Sequence, residues 1–116
     1  MNALIIDDEI DICYLLQGIL LNKNISSDYV NSISEAKHAL QKINPGIIFL
    51  DNHLPDGRGT DFISYLKKNN PGSIVIMITA YDTPDDREKA LSAGADIFIS
   101  KPFSRDTIFR TIDTLL

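Results

Sequence analysis

Residues 47–51, Ile-Ile-Phe-Leu-Asp, constrain this chain more than any other stretch. Four apolar residues, two of them β-branched, run into a single acid. Pro55, Gly57 and Gly59 follow closely. A short, continuous apolar run bounded by Pro and Gly reads as a strand buried on both faces. Strands of that kind build parallel sheets covered by helices. In open sheets of this type the chemistry gathers outside the carboxyl ends of the strands. Asp51 stands at such an end, so the question is what the other strands bring to it.

Residues 3–6 are a second apolar run, ending in Asp7-Asp8. From about residue 9 to 21, Ile12, Leu15, Leu16, Ile19 and Leu20 recur at helical spacing. Asp8 is the expected N-cap, with Asp11 in the first turn. Residues 27–30 form a weaker, partly polar strand. Ser32 with Glu35 three positions on is a capping-box pattern, and Asn44-Pro45-Gly46 ends the helix that follows. Phe62, Ile63 and Leu66 mark a third helix, ending near Asn70-Pro71-Gly72. Residues 74–78 are the most hydrophobic strand and lead into Thr79. Thr83-Pro84 starts a helix that runs to Gly94. Residues 96–100 make the fifth strand, followed by Lys101-Pro102. Ser104 caps a last helix bearing Ile108, Ile112 and Leu115.

Five strands therefore alternate with five helices. This predicts an α/β, doubly wound (βα)5 three-layer sandwich with a parallel sheet. The least apolar strand, 27–30, belongs at an edge. The order 2-1-3-4-5 puts it there and sets the switch point between strands 1 and 3. A chain of 116 residues suits one domain, 1–116. A net charge of −5 makes direct contact with a phosphate backbone a poor fit. One cysteine, Cys13, excludes an internal disulfide. The acids at 7–9 interrupt any leader-like segment, and no apolar run approaches a membrane span. The expectation is a soluble, cytoplasmic domain.

At the strand ends this topology gathers Asp7, Asp8, Asp51, Thr79 and Lys101 at one rim. Two carboxylates about 5 Å apart at an effective dielectric of about 20 repel by roughly 3 kcal/mol. Three such groups call for a counter-ion. An all-oxygen donor set favours a hard cation, and Mg²⁺ fits best because it accepts one or two carboxylates plus a phosphate oxygen. Lys101 adds a positive charge that a bare metal site does not need. The gap it faces suits a phosphoryl group, with Thr79 as a hydrogen-bond donor to it.

This constellation, with Pro55 and Gly59 at matching spacing, resembles the receiver domain of bacterial two-component response regulators, a flavodoxin-like fold similar to the chemotaxis regulator. The resemblance covers essentially the whole chain. It implies a signalling switch, not an enzyme acting on other substrates. Asp51 would take a phosphoryl group from a phosphohistidine on a sensor histidine kinase or phosphotransfer protein. Asp7, Asp8 and Asp51 would hold Mg²⁺, Asp8 most directly, together with the backbone carbonyl of His53. Thr79 and Lys101 would bind the phosphoryl oxygens. Thr79 and Phe98 would form the switch, reshaping the surface of helix 4, strand 5 and helix 5. The family's bond at Lys101–Pro102 is typically cis. A downstream effector or output domain, and by analogy a transient homodimer through helix 4, strand 5 and helix 5, would read the switch. The pattern suits a stand-alone regulator and a module of a longer chain alike.

Other residues have plainer readings. The His53 and Tyr81 side chains lie at the site mouth and bear on water access. His38 is a solvated helix residue, and Cys13 a small apolar filler. Two other functions compete. A Mg²⁺-dependent phosphohydrolase of the haloacid dehalogenase type needs a second acid two residues past the nucleophile, where this chain has His53. An unphosphorylated interaction domain has no use for the complete set of site residues.

Overall fold

The computed structural model describes residues 1–80 and 83–115. Tyr81 lies outside the described residues. The chain alternates strand and helix as β1 (Asn2–Ile6), α1 (Ile10–Leu21), β2 (Ser26–Val30), α2 (Ile33–Leu40) and β3 (Ile47–Leu50). It continues as α3 (Gly59–Asn69), β4 (Ile74–Thr79), α4 (Pro84–Ala93), β5 (Ile97–Ser100) and α5 (Arg105–Leu115). The sheet order is β2-β1-β3-β4-β5, and every pairing is parallel. The partly polar β2 is at the edge, as its sequence requires.

Alternation along the central strands separates two apolar layers. Ala3, Ile5, Phe49, Ile76 and Ile78 face α1 and α5 through Leu16, Leu20, Ile108 and Ile112. Leu4, Ile6, Ile48, Leu50, Val75 and Met77 face α2, α3 and α4 through Ala36, Phe62, Ile63, Leu66 and Ala90. Each large aliphatic side chain so buried contributes about 1.5–3 kcal/mol. All four residues of β3 are buried, which explains why that run has no polar member. The register pairs Ile6 with Leu50, and Thr79 with Ser100, so the residues after each strand emerge at one rim.

Local signals account for most helix ends. The Ser32 hydroxyl accepts from the Glu35 N–H at 3.1 Å. Glu35 returns to the N–H of Asn31 at 3.2 Å, one residue earlier than a reciprocal box would place it. Thr83 and Ser104 accept from the N–H groups of Asp86 and Thr107. Gly94 ends α4 at φ 115°, where a Cβ would be strained.

Three local features differ from expectation. Asp8 does not cap α1. The N-cap is Glu9, without a side-chain cap bond, and Glu9 instead gives its N–H to Asp7 Oδ1 at 2.9 Å. A two-residue Asp turn thus replaces the helix cap. Strand β5 begins at Ile97, one residue later than expected; the Asp96 carboxylate accepts from Val75 N–H at 2.8 Å and pairs with Lys67 at 2.6 Å. Between β3 and α3, His53–Leu54 pairs antiparallel with Gly57–Arg58 in a small hairpin too short to show as an apolar pattern.

Candidate functional site

The rim of β1, β3, β4 and β5 carries the expected residues, and the backbone explains how each is held. Asp51 gives its N–H to Ile6 C=O at 2.9 Å, and Asp7 gives its N–H to Val30 C=O at 3.1 Å. The parallel ladder is thereby extended one step into the site. Lys101 gives its N–H to Thr79 C=O at 2.9 Å. The Lys101–Pro102 peptide is cis.

Asp7, Asp8, Glu9 and Asp51 each bring an oxygen to within 4.8 Å of the others. Asp7 and Asp51 are buried, whereas Asp8 and Glu9 are exposed. The Lys101 ammonium lies 2.9 Å from Asp7 Oδ2, 2.8 Å from Glu9 Oε1 and 3.7 Å from Asp51 Oδ1. Thr79 is buried at the end of β4. Asp8, Glu9, Asp51, His53, Thr79, Ala80 and Lys101 line one cleft of about 260 Å³.

One ammonium does not balance this many acids. Burial, then the charge of Asp7, pushes the Asp51 carboxyl up from 3.8 to about 7, against the pull of Lys101 and the Asn52 N–H. Burial likewise raises Asp7. Burial alone would lower Lys101, but hydrogen bonds to Glu9 and Asp7 outweigh it and leave the ammonium raised. The donors are all oxygen, close together and incompletely neutralised. They suit one divalent cation of the hard class.

The sequence reading omitted Glu9, which is as close to Lys101 as Asp7 is. Its one signal was its place directly after two acids. Asn52 was also missed. It is buried, gives its N–H to Asp51 Oδ1 at 2.9 Å, and accepts from Thr60 N–H at 3.1 Å. Asn31 holds Asp7 C=O through its side-chain amide at 2.8 Å. His38 is exposed, and the buried Cys13 thiol is pushed up to about 12, first by burial. Phe98 pairs across the ladder with Met77, while Thr79 pairs with Ser100. Alternation therefore puts Thr79 and Phe98 on the same face of adjacent strands. The Arg87 guanidinium lies 4.9 Å from the Phe98 ring centre.

Gly59 shows how tightly the loop after β3 is built. A Cβ there would collide with the backbone oxygen of Asp51 and lie 3.1 Å from Asn52 Cα. Neither atom can turn aside. Gly59→Ala should cost about 1–3 kcal/mol in urea denaturation, because the backbone carrying Asp51 must shift.

A parallel sheet with acids after its first and third strands, and a lysine after its fifth, defines a receiver-type signalling module. The family model for the response regulator receiver domain matches residues 3–113, and the chain belongs to that family. Its members are the phosphorelay switches of two-component signalling. The chain is 35% identical over 115 residues to the response regulator PilR of Pseudomonas aeruginosa, covering 99% of this chain and 26% of PilR. The fold matches a two-component response regulator from Clostridium difficile at a TM-score of 0.95 and 25% identity, covering 99% and 94% of the two chains. It also matches the beryllofluoride-activated NtrC4 receiver domain dimer at 0.91 and 35% identity, covering 97% and 93%. The chain spans between about a quarter and about half of the length of the curated relatives it matches. Among the described residues, no helix is long and apolar enough to cross a membrane.

Proposed function

We propose that residues 1–116 form one receiver domain in which Asp51 is the phosphoryl acceptor. The observation that carries this is the placement of Lys101 between Asp7 and Asp51, with four acidic oxygens around one small space. A carboxylate oxygen of Asp51 attacks the phosphorus of a phosphohistidine. The P–N bond breaks, and its electron pair stays on the imidazole, which takes up a proton. The product is an acyl phosphate on Asp51. Asp7, Asp8, Asp51 and the His53 carbonyl would hold Mg²⁺, which when bound offsets the acids and the charge on the transferring oxygens. Lys101 and the Thr79 hydroxyl contact the remaining phosphoryl oxygens.

The new charge draws Thr79 inward, and Phe98, on the same face, turns into the space it leaves. The surface of α4, β5 and α5 then changes, which a downstream effector or output domain reads, or a second copy in a transient homodimer. The donor is a sensor histidine kinase or phosphotransfer protein. The domain works in the cytoplasm without touching nucleic acid or membrane, and catalyses only its own phosphorylation and dephosphorylation. The hydrolase alternative lacks the second acid, because His53 occupies that position.

Intact mass after incubation with acetyl phosphate and Mg²⁺ tests this reading. One phosphoryl adduct is expected, lost with EDTA and lost in Asp51→Ala. An adduct that persists in Asp51→Ala refutes the assignment.

A further inference from the structure

The loop from Asp51 to Arg58 is anchored at both ends. At its start Asn52 accepts from α3 twice. Its C=O takes the Gly59 N–H at 2.8 Å, and its side-chain oxygen takes the Thr60 N–H at 3.1 Å. At its tip Asp56 reaches across to a different helix. Asp56 Oδ1 accepts from Ile33 N–H at 2.9 Å, and Oδ2 accepts from Ser34 N–H at 2.9 Å. These are the first two amides of α2, 23 and 22 residues upstream. Ser32 already serves the Glu35 N–H, so Asp56 and Ser32 share the helix start between them.

An Asp before Gly in a hairpin is ordinarily explained by the turn itself. Here both carboxylate oxygens are used on a distant helix, and the turn chemistry does not account for that. The same two N–H groups hold the Asp56 carboxyl below its usual range, Ile33 first. Helix α2 is a firm anchor, since Ala36 is fully buried against the layer that contains Leu4, Ile6 and Leu50. Between the two anchors lies the pairing of His53 with Arg58 and of Leu54 with Gly57. His53 itself lines the acidic cleft.

We infer that Asp56 is a positioning residue for cation binding: by clamping the loop tip to the first turn of α2, it holds the His53 carbonyl at the cleft. This rests on the reading of that carbonyl as a cation ligand. Without the clamp the hairpin keeps Asn52 and the buried Leu54 as anchors but its tip loses its hydrogen bonds to α2, so the carbonyl must be ordered further when the cation binds. Groups that orient a metal ligand typically change affinity by about 10–100-fold when removed. Asp56 acts through the backbone, so the lower end applies.

The experiment is calorimetric titration of the whole, metal-free chain with Mg²⁺, alongside thermal unfolding. Asp56→Ala should weaken Mg²⁺ binding about tenfold. Asp56→Asn, which keeps one acceptor oxygen, should recover part of the loss. Ser32→Ala removes the other acceptor at the same helix start without touching the loop. It should lower Tm comparably yet hold Mg²⁺ affinity within about twofold. Asp56→Ala with unchanged affinity overturns the inference, as does an equal loss in Ser32→Ala. Because the readout is affinity, failure of phosphoryl transfer in the unsubstituted chain would refute the proposed function alone. Failure of that chain to bind Mg²⁺ would refute both.

Discussion

Asp51→Asn should make the metal-free chain more stable by about 2–4 kcal/mol at about pH 8. The side chain is nearly buried, and burial together with Asp7 raises its carboxyl from 3.8 to about 7. The folded value exceeds the unfolded one, so the folded state favours the protonated form. The stability this contributes is complete below about pH 3.8 and is lost as the pH rises through about 7. An amide does not ionise, so the advantage of the variant should vanish near about pH 4 and be full above about pH 7. Urea denaturation across that range measures it, and an advantage independent of pH would refute the electrostatic cause. The same crowding argument applied to Asp8→Ala gives a smaller gain, because Asp8 is exposed. Added Mg²⁺ should narrow or reverse the order for Asp51→Asn, since a ligand stabilises the folded chain in proportion to its affinity.

Lys101→Ala should act in the opposite direction, costing about 2–4 kcal/mol at about pH 7. Its side chain is 8% exposed and lies 2.9 Å from Asp7, which is 3% exposed. Removing the ammonium leaves Asp7 and Asp51 buried without a cation. Both carboxyls already sit above their usual range, so proton uptake limits the damage. The loss should therefore shrink towards about pH 5, where the acids neutralise themselves. The Glu9 contact adds little, because Glu9 is 59% exposed and water screens it. Denaturation of this variant at both pH values checks the sign and the trend. A cost that stays the same at both pH values would mean that Lys101 matters for packing and not for charge.

Much of the site was readable because each residue follows an apolar run. Residues 3–6, 47–50 and 74–78 announce buried strands, and the first polar residue after each is carried to the rim by the parallel register. Thr79 became legible in the same way, and Lys101 as the residue that follows Ser100 at the end of the fifth strand. Glu9, Asn52 and Asn31 were not, because their roles depend on which neighbour's backbone or ammonium lies within hydrogen-bond reach. Asp8 as an N-cap was a local inference overruled by a competing local bond, from the Glu9 N–H to Asp7 Oδ1. The hairpin at His53 escaped notice because two-residue strands carry no periodicity.

The sequence by itself determined the alternation of strands and helices, the edge position of β2 and the identity of the converging residues. These follow from hydrophobic period, turn formers and caps, which act over a few residues. Only the tertiary structure decided that Lys101 leans towards Asp7 and Glu9, that Asp51 is raised to about 7, and that Asp56 clamps α2. Those outcomes depend on distances between groups far apart in the chain. Electrostatic and hydrogen-bond energies change steeply over the last ångström, and that ångström is set by packing.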